Sequence, residues 1–269
     1  VQVVAVVLLH NEDVFAERVI RNVAGFCDRV HIADHMSTDG TWEIVSALAR
    51  ELDHVDATRI ANSAQSHDLI AGYAGTNTWV IGPDGDELYD PGGLQRLREQ
   101  LEEGRYDQVF RMMPAMLHAV SLDEQAGTAT GYLSPPARPA GGKLFNFNAI
   151  NSWTHVYRQC LHEGEIDFRD GWSWGSVANL GDEFDWDGNA FRCIHTCFMR
   201  RSSREREGTV RLNPIEAHSH RRDALGRAQL FLRRLGPSRQ GVPWKLEKYR
   251  RGSVVTKDVT AFLAAAARS

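Results

Sequence analysis

Lysine is scarce in this chain of 269 residues. It occurs only at positions 143, 245, 248 and 257, so arginine supplies nearly all of the positive charge. At a net charge of −4 the chain lacks the basic surplus of a general nucleic-acid binder. It shows neither an apolar run long enough to cross a bilayer nor the pattern of a leader peptide, and the expectation is a reducing cytoplasm. Cysteine is sparse as well: Cys27, Cys160, Cys193 and Cys197 have no C-x-x-C spacing. Cys193 and Cys197 bracket His195, and a strand would put 193, 195 and 197 on one face. No second ligand cluster accompanies them, so buried thiols are favoured over zinc. No G-x-G-x-x-G follows the first apolar run, which argues against a dinucleotide-dependent oxidoreductase. Nor does that run lead into the glycine- and arginine-rich loop that a sugar nucleotidyltransferase needs to hold triphosphate.

What remains is an ordinary globular composition, 42% hydrophobic and 25% charged, with enough length for one large domain or two small ones. The first half alternates strand and helix signals. "VQVVAVVLL" (1–9) is a β-branched run suited to a strand buried on both faces. Helical spacing follows over 13–26, then the strand "RVHIA" (29–33), a helix after "STDGT", the strand "VDATRI" (55–60), a short helix over 67–75 and the strand "TWVIG" (78–82). "PGGLQRLREQLEEG" opens on proline and closes on glycine, as a helix does. This order predicts an α/β fold with an open mixed sheet, mostly parallel and flanked by helices. Residues 106–120 read as a strand pair or a bent strand, 134–143 as a Gly/Pro-rich loop, and 213–269 as a C-terminal helical extension. We divide the single domain into a nucleotide-binding half (1–103), an acceptor-binding half (104–212) and that extension.

Ligands of open α/β sheets bind beyond the carboxyl ends of the strands. Four polar clusters fall there: "HNED" (10–13), "ADHMSTDGT" (33–41), "ANSAQS" (61–66) and "PDGDE" (83–87). In an extended segment Asp84 and Asp86 point the same way. Hard carboxylate oxygens suit Mg²⁺ or Mn²⁺ shared with substrate phosphates, and a solvated Asp-Gly turn is the competing reading.

The stretch from "VVLLHNED" through "ADHMSTDGT", followed by "PDGDE", resembles the opening of family 2 glycosyltransferases of the GT-A fold. That family has a strand ending in Asn-Glu, then D-x-x-S-T-D-G-T, then a D-x-D or D-x-D-E metal motif. The resemblance implies a metal-dependent enzyme moving a sugar from a nucleoside-diphosphate donor, of UDP or GDP type, to an acceptor, with inversion. It places Asn11 and Glu12 along the nucleotide, Asp34 at the base, Asp39 near the ribose and Asn62 near base or ribose. Asp84 and Asp86 approach ribose and metal, with Asp86 the direct ligand. Met36 stands where many members carry glycine, and His10 where lysine or arginine is common.

"KLFNFNAINSWTHVYRQCLHEGEI" resembles a subset with a later His-Glu pair, here His162-Glu163, and "CIHTCFMRRSS" the segment with a late histidine, making His195 a candidate third metal ligand. The catalytic base that deprotonates the acceptor hydroxyl is sought among Glu163, Asp170, Asp182 and Glu183. Trp172 and Trp174 are candidate acceptor platforms, with core burial as the alternative. Arginines of "MRRSSRERE" are candidates to reach the diphosphate. The acceptor is expected to be a saccharide, glycolipid, peptide or small molecule, and the basic segment "KLEKYRRG" (245–252) to allow peripheral contact with an anionic membrane. The sequence carries no signal of oligomeric state. A non-catalytic nucleotide-sugar-binding module is the alternative to a transferase.

Overall fold

The computed structural model describes residues 1–134, 141–156, 161–205 and 252–264. Eight consecutive residues of strand character build β1 (Gln2–Leu9), and its burial on both faces follows from its position in the middle of a sheet. β2 (Arg29–Asp34) and β4 (Thr78–Ile81) pair in parallel with β1, and β3 (Val55–Arg59) pairs in parallel with β2. Between them run α1 (Ala16–Ala24) and α2 (Thr41–Glu51), each with its apolar stripe against the sheet. The segment expected as a short helix over 67–75 is two 3-10 turns, Ser63–Leu69 and Ala71–Tyr73.

After β4 the chain changes sheets. Residues Gly82–Asp86 lead into β5 (Glu87–Tyr89), and α3 (Pro91–Glu102) follows, capped by Asp90, whose carboxylate accepts from Gly92 N at 3.1 Å. The strand-like stretch 106–120 is interrupted at Pro114 into β6 (Arg111–Met113) and β7 (Ala115–Asp123), which belong to different sheets. A proline has no N–H to give a ladder, so it marks the crossing. Then come β8 (Thr128–Ser134), β9 (Leu144–Asn146), β10 (Ile150–Thr154), β11 (Glu165–Phe168), β12 (Val177–Asn179), α4 (Leu180–Glu183), β13 (Arg192–His195), β14 (Val254–Asp258) and α5 (Thr260–Ala264).

The seven-stranded sheet has the order β12-β6-β9-β4-β1-β2-β3, with β9 antiparallel to both its neighbours. A second sheet runs β14-β8-β7-β13-β5, and β10 pairs with β11 as a hairpin. This is the expected α/β architecture with a mixed, mostly parallel sheet flanked by helices, consistent with GT-A. Alternation sorts the main sheet into two cores. Val3, Ala5, Val7 and Leu9 join the large core with α1 and α3, whereas Val6 faces an aromatic core with Phe110, Phe145, Phe147 and Trp153. Most of the expected C-terminal helical extension, residues 213–251 and 265–269, lies outside the described residues. The described part of the C-terminal region is the strand β14, paired with β8, and the short α5.

Candidate active site

The link between the two sheets carries the acidic cluster. β4 ends at Ile81, a bridge joins Asp84 to Leu8 at the end of β1, and β5 begins at Glu87. Gly85 has no room for a side chain: an added Cβ would sit 2.5 Å from Leu9 Cδ2 and 2.8 Å from Glu12 Cγ. The turn is thereby pressed onto the end of β1, and the "HNED" and "PDGDE" motifs meet.

A buried lysine and a half-buried arginine answer the mutual repulsion of these carboxylates. Lys143, 3% exposed, donates to Asp84 Oδ2 at 2.9 Å and lies 2.8 Å from Glu87 Oε1. Arg201 Nη1 stands 2.9 Å from Asp86 Oδ2 and 3.0 Å from Glu12 Oε1, so one guanidinium nitrogen bridges the first-strand and fourth-strand motifs. Burial alone would raise the Asp84 carboxyl, but the positive charges of Lys143 and His162 outweigh it and hold it down to about 2. Glu87, on which the Tyr89 hydroxyl also donates at 3.0 Å, is pushed up by burial in spite of Lys143. Asp86 is 1% exposed, whereas 42% of the Asp84 side chain remains accessible. Asp84 is therefore the carboxylate open to an arriving ligand.

His195 ends β13 directly opposite Glu87 on β5, with His118 of β7 on its other side. Its Nε2 lies 3.5 Å from Asp86 Oδ1. Burial opposes a charged ring here, yet the Cys197 sulfur and the Asp86 carboxylate hold the imidazole up to about 10. Asp84, Asp86 and His195 thus occupy one corner of the molecule, joined by Glu12.

The other residues expected along the nucleotide shape the strand-end loops. Asn11 adopts a left-handed backbone (φ 56°), gives its N–H to Ser37 Oγ at 3.0 Å and accepts from Thr38 N at 2.8 Å. Asp34 is fully buried, with Arg59 Nε at 3.0 Å and Ser37 N at 3.3 Å. Asp39 accepts from Thr41 N at 3.0 Å and from Ser202 Oγ at 2.6 Å. Asn62 caps the 3-10 turn after β3, accepting from Ala64 N at 3.0 Å. Met36, half-exposed with φ 50°, forms the tip of the loop after β2.

The acceptor-side candidates divide. Leu161 packs so closely on Gly82 that an added Cβ would lie 2.6 Å from its Cδ1, and His162 acts on Asp84. The His162-Glu163 turn therefore borders the acidic link. Asp182 and Glu183 follow β12, the edge strand, with β6 and β9 between it and β4; Asp182 accepts from Asn179 Nδ2, and the Glu183 charge acts on Tyr106 beyond α3. Asp170 and Trp172 line a cavity of about 1080 Å³ with Val1, Asn77 and Asn148. That cavity opens at the amino ends of β1 and β4, opposite the acidic link. Trp174 is 41% exposed and makes edge contacts with Phe110, Trp153 and Phe168, under the Arg111 guanidinium. Trp153 and Trp186, each 3% exposed, are core.

Sequence reasoning did not identify Lys143, Arg59 or His118, and it named Arg201 only as one of several arginines. Lys143 carried a signal in being one of four lysines, at the edge of a glycine-rich loop. His118 lay inside an apolar strand with nothing local to distinguish it.

Residues 4–116 match the family model described as glycosyl transferase family 2. The comparison with curated proteins finds no match. Among solved structures, TarS of S. aureus is similar at 13% identity and a TM-score of 0.41, over 60% of this chain and 52% of that one. A mannosyltransferase, PcManGT, from Pyrobaculum calidifontis has 14% identity and a TM-score of 0.39, over 99% and 73%. Glucosyl-3-phosphoglycerate synthase from Mycobacterium tuberculosis has 17% identity and a TM-score of 0.33, over 43% and 44%. This chain thus spans about half the length of the first and less of the third, and at these scores none of the three bears on the site. Residues 4–116 thus match the family 2 glycosyltransferase model, and the mixed sheet they help build is consistent with GT-A architecture.

Proposed function

We propose that this protein is a metal-dependent glycosyltransferase that moves a sugar from a nucleoside-diphosphate donor to an acceptor hydroxyl, with inversion. The observation that carries the reading is the junction of Glu12, Asp84 and Asp86 at the carboxyl ends of β1 and β4, with Lys143 and Arg201 poised on the same carboxylates. The donor set fits a hard divalent cation: Asp84 is accessible, Asp86 lies two residues on, and together with Glu12 and Glu87 these carboxylates outnumber Lys143 and Arg201, which pair with them. Mn²⁺ or Mg²⁺ held by Asp84 and Asp86 would supply positive charge for the departing diphosphate, and His195, with Nε2 3.5 Å from Asp86 Oδ1, adjoins that pair.

The chain's own cations have a second task in this reading. Lys143 and Arg201 are already desolvated and ion-paired, and phosphate oxygens can take over the donors that the carboxylates release. Glu163, on the turn bordering the acidic link, is the best-placed base for the acceptor hydroxyl. Asp34 and Asp39 support donor binding by holding the loops after β2. Cytoplasmic location and peripheral membrane contact remain part of the proposal.

The test is calorimetric titration of UDP and GDP, with and without Mn²⁺, on wild type, Asp86→Ala and Asp84→Asn. The expected result is metal-dependent binding of one nucleotide, weakened at least about tenfold, or about 1.4 kcal/mol, in either variant. Asp84→Asn covers the chance that Asp86→Ala fails to fold once Arg201 loses a partner. Nucleotide affinity indifferent to both metal and substitutions would sink the proposal.

A further inference from the structure

A second set of donor atoms stands behind the acidic link. β7 and β13 run parallel with His118 beside His195, and the two Nδ1 atoms are 3.1 Å apart. Cys197 follows two residues after His195, and the ligand atoms of all three side chains lie within 4.8 Å of one another. All three are buried, His118 completely. Two imidazole nitrogens on one tetrahedral ion, each about 2.0–2.1 Å from it, would stand roughly 3.3–3.4 Å apart. The histidine pair is thus within a few tenths of an ångström of that spacing, and the thiol lies within 4.8 Å of both.

We propose that His118, His195 and Cys197 form a binding site for a divalent transition metal of the zinc type, separate from the Asp84–Asp86 pair. Imidazole and thiolate select borderline and soft ions, whereas Mg²⁺ takes oxygen. Three protein ligands leave a fourth position for water or a substrate atom. Asp86 is then a positioning residue. Its Oδ1 faces the other nitrogen of His195, Nε2, at 3.5 Å, which is the carboxylate–histidine–metal arrangement that fixes tautomer and ring orientation. A neutral imidazole coordinates through one nitrogen, so this assignment leaves the diphosphate cation to Asp84 and Asp86 alone. The site does not depend on the transferase reading.

The experiment is titration of Co²⁺ into the chelator-treated full chain, followed by optical absorption. One equivalent should produce a sulfur-to-cobalt charge-transfer band. Cys197→Ser should abolish that band, and His118→Gln should weaken Co²⁺ binding at least about tenfold, the loss typical even of an outer-shell partner. Cys27→Ser, in another part of the core, should leave the spectrum unchanged. Asp86→Asn should keep the sulfur band, since its carboxylate is not a ligand here; loss of the band there overturns the positioning role. Thermal melting checks that each variant folds, and His118→Gln decides the matter if Cys197→Ser does not. No charge-transfer band in wild type, or one that survives Cys197→Ser, overturns the site. A cobalt–thiolate band together with metal-indifferent nucleotide binding keeps this site and removes the transferase reading; the reverse pattern removes this site alone.

Discussion

His67 sits on the 3-10 turn after β3, 6% exposed, and its Nε2–H donates to the Trp153 carbonyl at 2.5 Å. Burial lowers its proton affinity more than that bond and Asp68 restore it. The unfolded chain therefore takes up a proton near the ordinary histidine range, about 6.5, before the folded protein does. Stability held through this group is complete above that value and is lost as pH falls toward the depressed folded value. Wild type should thus lose more melting temperature between about pH 7.5 and about pH 5.5 than His67→Gln does; equal losses would remove His67 from the acid response. At this scale the sequence revealed one sign of charge and concealed the other. Asp84 and Asp86 are neighbours and form a local motif, but their partners Lys143 and Arg201 lie 59 and 115 residues further on. Only folding brings those together, so the acidic half of the site was legible and the basic half was not.

Strand β8 is held close to β7 by the absence of a side chain. A Cβ at Gly131 would lie 2.2 Å from the His118 carbonyl oxygen and 2.7 Å from Ala119 Cα, next to the irregularity between Ala119 and Ser121. Backbone cannot step aside as a side chain does, so Gly131→Ala should cost about 1–3 kcal/mol in urea unfolding. A change within about 0.5 kcal/mol would show that the two strands separate freely there. Elements of the first half were readable because β1, β2 and β4 are largely buried strands and regular helices follow β1 and β2. The shorter strands resisted reading. β5, β6, β9, β12 and β13 have three or four residues each, too few for alternation to declare itself. Their partners are remote as well: β5 pairs with β13 about a hundred residues away. Pro114 was the visible cue that 106–120 is two strands rather than one.

The whole molecule is closed by its C-terminal segment. β14 completes one edge of the second sheet, and Phe262 of α5, 2% exposed, stacks on Trp186 with ring centroids 5.8 Å apart and planes 10° apart. Arg192 lies 5.3 Å from the Phe262 ring and donates through Nε to Asp90 at 2.9 Å, so this contact reaches the cap of α3. Phe262→Ala should destabilise the protein by about 3–5 kcal/mol and shift tryptophan fluorescence to the red as Trp186 meets water. An unchanged emission maximum would show that the segment stays docked without its anchor. Residues 196–205, at the other end of β13, are pinned onto the strand-end loops: Arg201 on Glu12 and Asp86, Ser202 on Asp39, Ser203 on Asp13. On the proposed reading, a divalent ion held by Asp84 and Asp86 would displace the Arg201 guanidinium from Asp86 rather than enter an empty space. The exchange adds one unit of positive charge instead of two, so the ion gains only the difference in attraction. The evicted arginine loosens the middle of the strap while its two serines still hold. Ion occupancy and the position of this segment would then be a single variable.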